Sequence, residues 1–139
     1  MDMKFSKWQP NAEIGNKSYD IESITNDYNG LKITLVDEEN VKIIIEWEGV
    51  IESWCCSREE ARFKFIASEW QQIRKKYSNW SFFKVDESPY INWVYEEGGG
   101  FEEKESYIHF MIVTLNHVID VISMSEPDSC KVMKEYKKY

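Results

Sequence analysis

The sequence has few cysteines, no long apolar run and no excess of basic charge, and each shortage excludes a class of protein. The three cysteines, Cys55, Cys56 and Cys130, are odd in number and two are adjacent, so we expect free thiols and no disulfide framework. No apolar stretch approaches the roughly 20 residues that span a bilayer. The first ten residues are polar and lack the apolar core of a secretory signal. These absences predict a reduced, cytoplasmic protein without a membrane segment.

The charge balance is acidic, with 25 Asp and Glu against 17 Lys and Arg and a net charge of −8. Nucleic-acid binding needs a basic face that displaces counterions, so DNA and RNA are not expected ligands. The same charge repels anionic lipid headgroups, which argues against a membrane partner.

Length and aromatic content predict one folded domain. The 139 residues include 6 Trp, 8 Tyr and 7 Phe, and a chain of this size buries about two thirds of its unfolded surface. Changes in pattern divide the chain into an irregular N-terminal arm (1–17), a single α+β domain (18–128) and a basic C-terminal tail (129–139).

Alternating apolar residues predict strands in the first half. Asn29-Gly30 separates two such runs and is a strong signal for a two-residue hairpin loop. A strand at 41–47 follows, and a fourth strand at 50–56 is predicted to pair back on it. These four strands would form an antiparallel meander.

Helical patterns follow. Ser57 and Glu60 fit a capping box, and apolar residues recur behind them at steps of three and four. Ser88-Pro89 is a typical start for a short helix at 88–97. The predicted fold class is α+β, with a curved antiparallel sheet of about six or seven strands, one main helix (57–77) on one face and the short helix near an edge.

A last hairpin is predicted from the apolar runs at 106–115 and 118–124, and its register decides whether the side chains of His109 and Asp120 lie close together. A loop at Asn116-His117 would place Asp120 opposite Val113, four residues from His109 along the same face. At about 3.3 Å per residue the two side chains would lie about 13 Å apart. This register predicts no His–Asp pair.

The spacing of the other reactive groups also argues against a metal site or a catalytic nucleophile. Neighbouring Cys55 and Cys56 point to opposite faces of a strand and cannot easily share a metal. Cys55 or Cys56 could be a nucleophile activated by His109, but the pattern favours the simpler interpretation, in which the cysteine and His109 are both ordinary core residues. The glycine run at 98–100 follows a helix instead of opening one, and no serine lies in a nucleophile-elbow sequence. The sequence predicts no catalytic residue, metal or cofactor.

Acidic and aromatic side chains are the remaining functional candidates. Glu46 and Glu48 share one face of a strand, and a hairpin at Gly49 would bring Glu52 beside them. Clustered like charges destabilise a sheet unless a cationic partner neutralises them. The predicted partner-binding residues are Glu46, Glu48, Glu52, Trp47 and Trp54, with Glu102, Glu103 and Glu105 in an acidic loop. We therefore expect a module that binds a basic protein, in an oligomeric state that the pattern leaves open.

Three segments carry a resemblance to a known group of proteins. They are W-x-F-x-K-V-x-x-S-x-Y-I-x-W from Trp80 to Trp93, Y-I-H-F at 107–110 and V-I-D-V at 118–121. They resemble small bacterial proteins that are encoded near polymorphic toxins and taken to be immunity proteins, over roughly residues 18–128. The resemblance implies a cytoplasmic antitoxin that inhibits its cognate toxin by binding it.

Two other functions stay open. One is a small enzyme or ligand-binding protein with a cleft between sheet and helix, which a deep apolar pocket lined by His109 and Cys55 or Cys56 would favour. The other is a structural or regulatory interaction module.

Overall fold

Two antiparallel sheets, packed face to face, form most of the protein. The computed structural model describes residues 4–99 and 103–134. Within these ranges the strands are β1 (Lys4–Lys7), β2 (Asp20–Asp27), β3 (Gly30–Val36), β4 (Val41–Glu48), β5 (Ser53–Arg58), β6 (Phe82–Asp86), β7 (Ile108–Val113), β8 (His117–Ser123) and β9 (Ser129–Lys134). The helices in the same ranges are α1 (Glu59–Arg62), α2 (Ala67–Tyr77), α3 (Pro89–Glu97) and a 3-10 turn (Lys104–Ser106).

The strands divide into sheet I, in the order β1-β6-β7-β8-β5, and sheet II, in the order β2-β3-β4-β9. The fold is therefore mostly β. The predicted α+β class, with a single curved sheet of six or seven strands and one main helix, is wrong, because the strands close into two sheets and the helices are short.

Aromatic side chains fill the space between the sheets. The ring of Phe110, in sheet I, lies 5.2 Å from the ring of Trp47, in sheet II, measured between centroids. The ring of Trp8, which follows β1, lies 4.8 Å from the same Phe110 ring. The Trp47 indole N–H donates to the Ser125 carbonyl at 3.2 Å, so its one polar atom is satisfied. This layer holds the two sheets together.

The other face of sheet I is covered by the helices. The predicted helix at 57–77 is wrong as one element, because Ser57 pairs with Val118 inside sheet I and cannot cap a helix. The chain forms α1, turns, and begins α2 at Ala67. The predicted apolar face is present nevertheless, since the rings of Phe63 and Trp70 are buried and stacked 4.1 Å apart.

Strand β5 does not pair with β4. It pairs with β8 instead, which places Cys55 opposite Asp120 and moves the chain from sheet II to sheet I after Gly49. The predicted fourth strand of the meander is thus the edge of the other sheet. The first hairpin is present, but its two-residue loop is Tyr28-Asn29 and not the predicted Asn29-Gly30, because Asp27 pairs with Gly30.

The two terminal segments supply strands. Lys4–Lys7 pairs with β6 as an edge of sheet I, and Ser129–Lys134 pairs with β4 as an edge of sheet II. The segments predicted as arm and tail thus contribute to the sheets over these residues, and 135–139 lie outside the described ranges.

The longest helix in the described part of the chain, α2, has 11 residues. None of the helices there has the length and apolar content needed to cross a membrane.

Candidate functional site

A buried polar cluster lies between sheet I and the helices. We use this name for Arg62 at the end of α1, Ser88 before α3, His109 of β7 and Asp120 of β8. His109 and Asp120 are each only 1% exposed. Polar groups this deeply buried need complete hydrogen bonding, so the geometry of the cluster is tightly constrained.

The cluster is a continuous chain of hydrogen bonds. His109 Nε2 lies 2.6 Å from Asp120 Oδ1, and His109 Nδ1 lies 2.7 Å from Ser88 Oγ. Asp120 accepts the Nε2 proton, which leaves Nδ1 of a neutral imidazole free to accept from the Ser88 hydroxyl. Ser88 Oγ also accepts the N–H of Ile91 at 3.2 Å, as the N-cap of α3.

Arg62 supplies the balancing positive charge. Its Nε donates to Asp120 Oδ2 at 2.9 Å and its Nη2 to Oδ1 at 3.2 Å. Burial by itself raises the pKa of the Asp120 carboxyl, but the hydrogen bonds from His109 and Arg62 and the charge of Arg62 outweigh it, and the pKa lies below the ordinary 3.8. Asp120 is therefore ionised at neutral pH.

The predicted separation of His109 and Asp120 is wrong because the hairpin turns one residue earlier than predicted, at 115–116, where the Thr114 N–H donates to the His117 carbonyl at 2.8 Å. Val113 pairs with Val118, so Asp120 lies opposite Met111, two residues from His109 instead of four. The loop closes through the Thr114 hydroxyl, which donates to the His117 carbonyl at 2.9 Å. Side chains diagonal to each other across such a pair lie within reach.

Two cavities meet at the cluster. A cavity of about 200 Å³ is lined by the cluster together with Cys55, Pro89 and Tyr90. A wider groove of about 820 Å³ runs beside α3 and is lined by Ser88, His109, Ile91 and Asn92, among others. Ser88 and His109 thus separate the two spaces and line both.

Tyr90 closes one side of the smaller cavity. Its hydroxyl is hydrogen-bonded to that of Ser53 on the edge strand β5. Burial raises the pKa of Tyr90 to about 12 despite that hydrogen bond. Tyr90 therefore presents a neutral hydroxyl and an aromatic ring to any molecule in the cavity.

The thiols differ in accessibility. Burial raises the pKa of all three thiols, but Cys55 and Cys56 are exposed, whereas the pKa of Cys130 rises from 9.0 to about 11. At about pH 8 the thiolate of Cys130 should be about a hundredfold scarcer than in the unfolded chain. Stopped-flow titration with a disulfide reagent should find two fast thiols and one slow thiol in the folded protein, and three fast thiols in urea. Fewer than three thiols in urea would contradict the prediction that all are reduced.

The predicted partner-binding residues do not form one surface. Trp47 is 1% exposed and inside the core, and Trp54 is partly buried against it. Glu46 lies 3.9 Å from Lys32, measured between Oε1 and Nζ, and is not beside Glu52, which follows the crossing between sheets. The acidic loop leads into the 3-10 turn, with Glu103 before it and Glu105 inside it, while Glu102 lies outside the described residues.

One end of sheet II does combine acidic and apolar groups. We call it the acidic tip, formed by Asp27, Tyr28, Glu48, Val50 and Asp128. The Gly49 N–H donates to the Asn29 carbonyl at 3.0 Å and the Glu48 N–H to Asp128 Oδ2 at 2.6 Å, so three loops are tied together.

The tip residues are strongly exposed. Tyr28 is 90% and Val50 92% exposed, and none of the three carboxylates forms an ion pair within the described part of the chain. Of these residues, sequence analysis identified Glu48 alone. The predicted loop at Asn29-Gly30 indicated that Tyr28 lies at a turn, but no local pattern indicated that the loops carrying residues 28, 50 and 128 would lie side by side.

The described residues contain no group of three or more His, Cys, Asp or Glu side chains that could hold a metal ion. Comparison of the chain with protein-family models, with curated proteins and with solved structures found no match.

Proposed function

We propose that the protein is an acidic protein-binding module of the cytoplasm that neutralises a basic toxin by binding it tightly. The acidic tip carries this proposal, because it combines three carboxylates that form no ion pair with any described residue and apolar side chains that are almost fully exposed. Charge of one sign steers an oppositely charged partner, and buried apolar or aromatic anchors supply most of the affinity.

The construction of the tip favours tight binding. Tyr28 and Val50 lie on loops tied together by the Asn29–Gly49 hydrogen bond, so little conformational freedom is lost when a partner covers them. Burying an apolar side chain of this size contributes about 1.5–3 kcal/mol. Asp27, Glu48 and Asp128 surround these anchors with negative charge, which complements a partner rich in lysine and arginine.

Removing both anchors should weaken the complex. A Tyr28→Ala, Val50→Ala double variant should bind the toxin at least about tenfold more weakly, mainly through faster dissociation. Glu48→Lys should slow association and reduce its dependence on salt. The partner recovered with tagged protein from the native host would be purified and its association measured by stopped flow across a salt series.

Phe65 is the matched control for these variants. It is 90% exposed, like the anchors, but lies between α1 and α2, away from the tip. Phe65→Ala should leave affinity and rates unchanged. Equal binding by the double variant and by Phe65→Ala, or a partner with net negative charge, would refute the proposal.

A second function is supported by the cavity beside the polar cluster. It is lined by His109 and Cys55, as expected for a small enzyme or ligand-binding protein with a cleft between sheet and helix. We infer that it binds a small neutral molecule, because the cation and the anion of the cluster already neutralise each other. Titration with ethyl acetate should change the NMR signals of Tyr90 and Cys55, and Cys55→Trp, which fills the cavity, should abolish those changes.

A further inference from the structure

We propose that Ser88 is the nucleophile of an acyl-transfer site, with His109 as its general base and Asp120 orienting the imidazole. This inference rests on the second proposed function, ligand binding in the smaller cavity, and specifies its chemistry. A serine hydroxyl is a weak nucleophile unless an adjacent base accepts its proton, and the base must itself be held in one tautomer. The cluster places these three groups in that order.

The distances fit this division of roles. Ser88 Oγ is 2.7 Å from His109 Nδ1, within reach for direct proton transfer, and the opposite ring nitrogen is 2.6 Å from Asp120. The base nitrogen is Nδ1 and the oriented one Nε2, but the chemistry depends on hydrogen bonds and not on which nitrogen has which role. Arg62 keeps the Asp120 carboxylate ionised, so it continues to accept the Nε2 proton.

The environment of Ser88 offers access from two sides although the residue is only 3% exposed. Its neighbours Pro89 and Tyr90 line the cavity of about 200 Å³, and Ile91 and Asn92 line the groove of about 820 Å³. A water molecule occupies about 30 Å³ of liquid, so the cavity has room for a short acyl group while the groove takes the alcohol portion. The substrate class is a neutral ester of a short-chain acid.

The reaction balances with water as the only co-reactant. The Ser88 hydroxyl proton moves to His109 Nδ1 as Oγ bonds to the ester carbonyl carbon. The ester C–O bond then breaks, and the leaving alcohol takes the proton from Nδ1. Water attacks the acyl-serine with the same base, which releases the carboxylic acid and restores the Ser88 hydroxyl.

A phosphorylating probe tests the reactivity of Ser88 directly. The full-length protein would be incubated with diethyl p-nitrophenyl phosphate at about pH 8, and the site and rate of labelling followed by intact-mass and peptide mass spectrometry. We expect one diethylphosphoryl group on Ser88, at least about a hundredfold faster than on Ser125, an exposed serine of the β8–β9 loop that lacks a base.

Variants and unfolded protein provide the controls. Ser88→Ala should abolish labelling, and His109→Gln should slow it by about a hundredfold. Ser53→Ala removes only the hydrogen bond to the Tyr90 hydroxyl and should keep the labelling. Urea-unfolded wild-type protein should lose the selective labelling, which tests the site even where a variant does not fold.

The results distinguish the acyl-transfer reaction from ligand binding alone. Selective labelling of Ser88 that depends on the folded state supports the acyl-transfer site. Ethyl acetate shifts at Tyr90 and Cys55 without a Ser88 adduct would overturn the reaction and leave the ligand-binding function standing. Labelling of Ser88 and Ser125 at equal rates overturns the reaction as well, and the absence of both adduct and shifts overturns both.

Discussion

Replacing Asp120 with alanine is expected to lower the free energy of unfolding by about 3–5 kcal/mol, a large part of the stability of a small domain. The variant removes the carboxylate that accepts from both His109 and Arg62. The His109 N–H then faces an apolar interior without a partner, and Arg62, whose side chain is 18% exposed, loses both hydrogen bonds to the carboxylate. A buried donor left unpaired costs more than the hydrogen bond itself contributed. Urea unfolding monitored by tryptophan fluorescence measures the change.

Asp20 provides the matched control. It is an exposed carboxylate at the start of β2, and Asp20→Ala should change stability by less than about 0.5 kcal/mol. Arg62→Met tests the same cluster from its more accessible side and should also destabilise, because it leaves the Asp120 charge with His109 alone. Equal stability of Asp120→Ala and Asp20→Ala would show that the cluster does not stabilise the fold.

The cluster also predicts a direction for acid unfolding. The pKa of Asp120 is lower in the folded protein than its ordinary value of 3.8, since the hydrogen bonds from His109 and Arg62 outweigh burial. The folded state therefore binds this proton less readily than the unfolded chain. The contribution of Asp120 is fully present above about pH 4 and is lost as the pH falls through its lower folded-state value. Asp120→Asn should remove that part of the pH dependence.

Local patterns were sufficient for many elements. The two-residue period of apolar side chains identified the strand that became β4, and Ser88-Pro89 correctly predicted the start of α3, where the Ser88 hydroxyl accepts the Ile91 N–H. These features depend on residues within a few positions of each other, and their physical causes are therefore visible in a short window of sequence.

Strand partners were not predictable in the same way. The run that forms β5 has the composition of a strand, but its partner β8 lies more than 50 residues further along the chain. Extended conformation is encoded locally, whereas the choice of sheet depends on which pairing buries the most apolar surface throughout the domain. The pairs β1–β6 and β4–β9 have the same origin.

The candidate site was missed through an error of two positions in register. Apolar alternation correctly placed His109 and Asp120 on one face, but the turn between β7 and β8 lies at 115–116 and not at the predicted 116–117. Thr114 faces His117 across the hairpin, and its hydroxyl also donates to the His117 carbonyl and accepts the His117 N–H, so the turn closes one residue before Asn116-His117. A shift of two keeps every side chain on its face, so the hydrophobic pattern could not reveal it.

A comparable backbone constraint makes Gly30→Ala the second substitution with a large expected effect. Gly30 opens β3 with a φ of +127°, which side chains of L-residues rarely adopt, and an added Cβ would lie 1.9 Å from the Trp47 carbonyl oxygen. That oxygen belongs to the backbone of the neighbouring strand and cannot move aside like a flexible side chain. We expect a loss of about 3 kcal/mol in the free energy of unfolding.

Substitutions at two other glycines distinguish backbone strain from steric overlap as causes of that loss. Gly49 has a φ of +80° but no atom within 4 Å of an added Cβ, so Gly49→Ala should cost about 1–2 kcal/mol from backbone strain alone. Gly15 has neither constraint, and Gly15→Ala should be neutral or stabilising by up to about 1 kcal/mol. In urea unfolding, the loss of stability should be much larger for Gly30→Ala than for Gly49→Ala, and larger for Gly49→Ala than for Gly15→Ala. A loss at Gly30 no larger than at Gly49 would mean that β3 and β4 separate easily at this end, and the acidic tip would then lack the rigidity that favours tight binding.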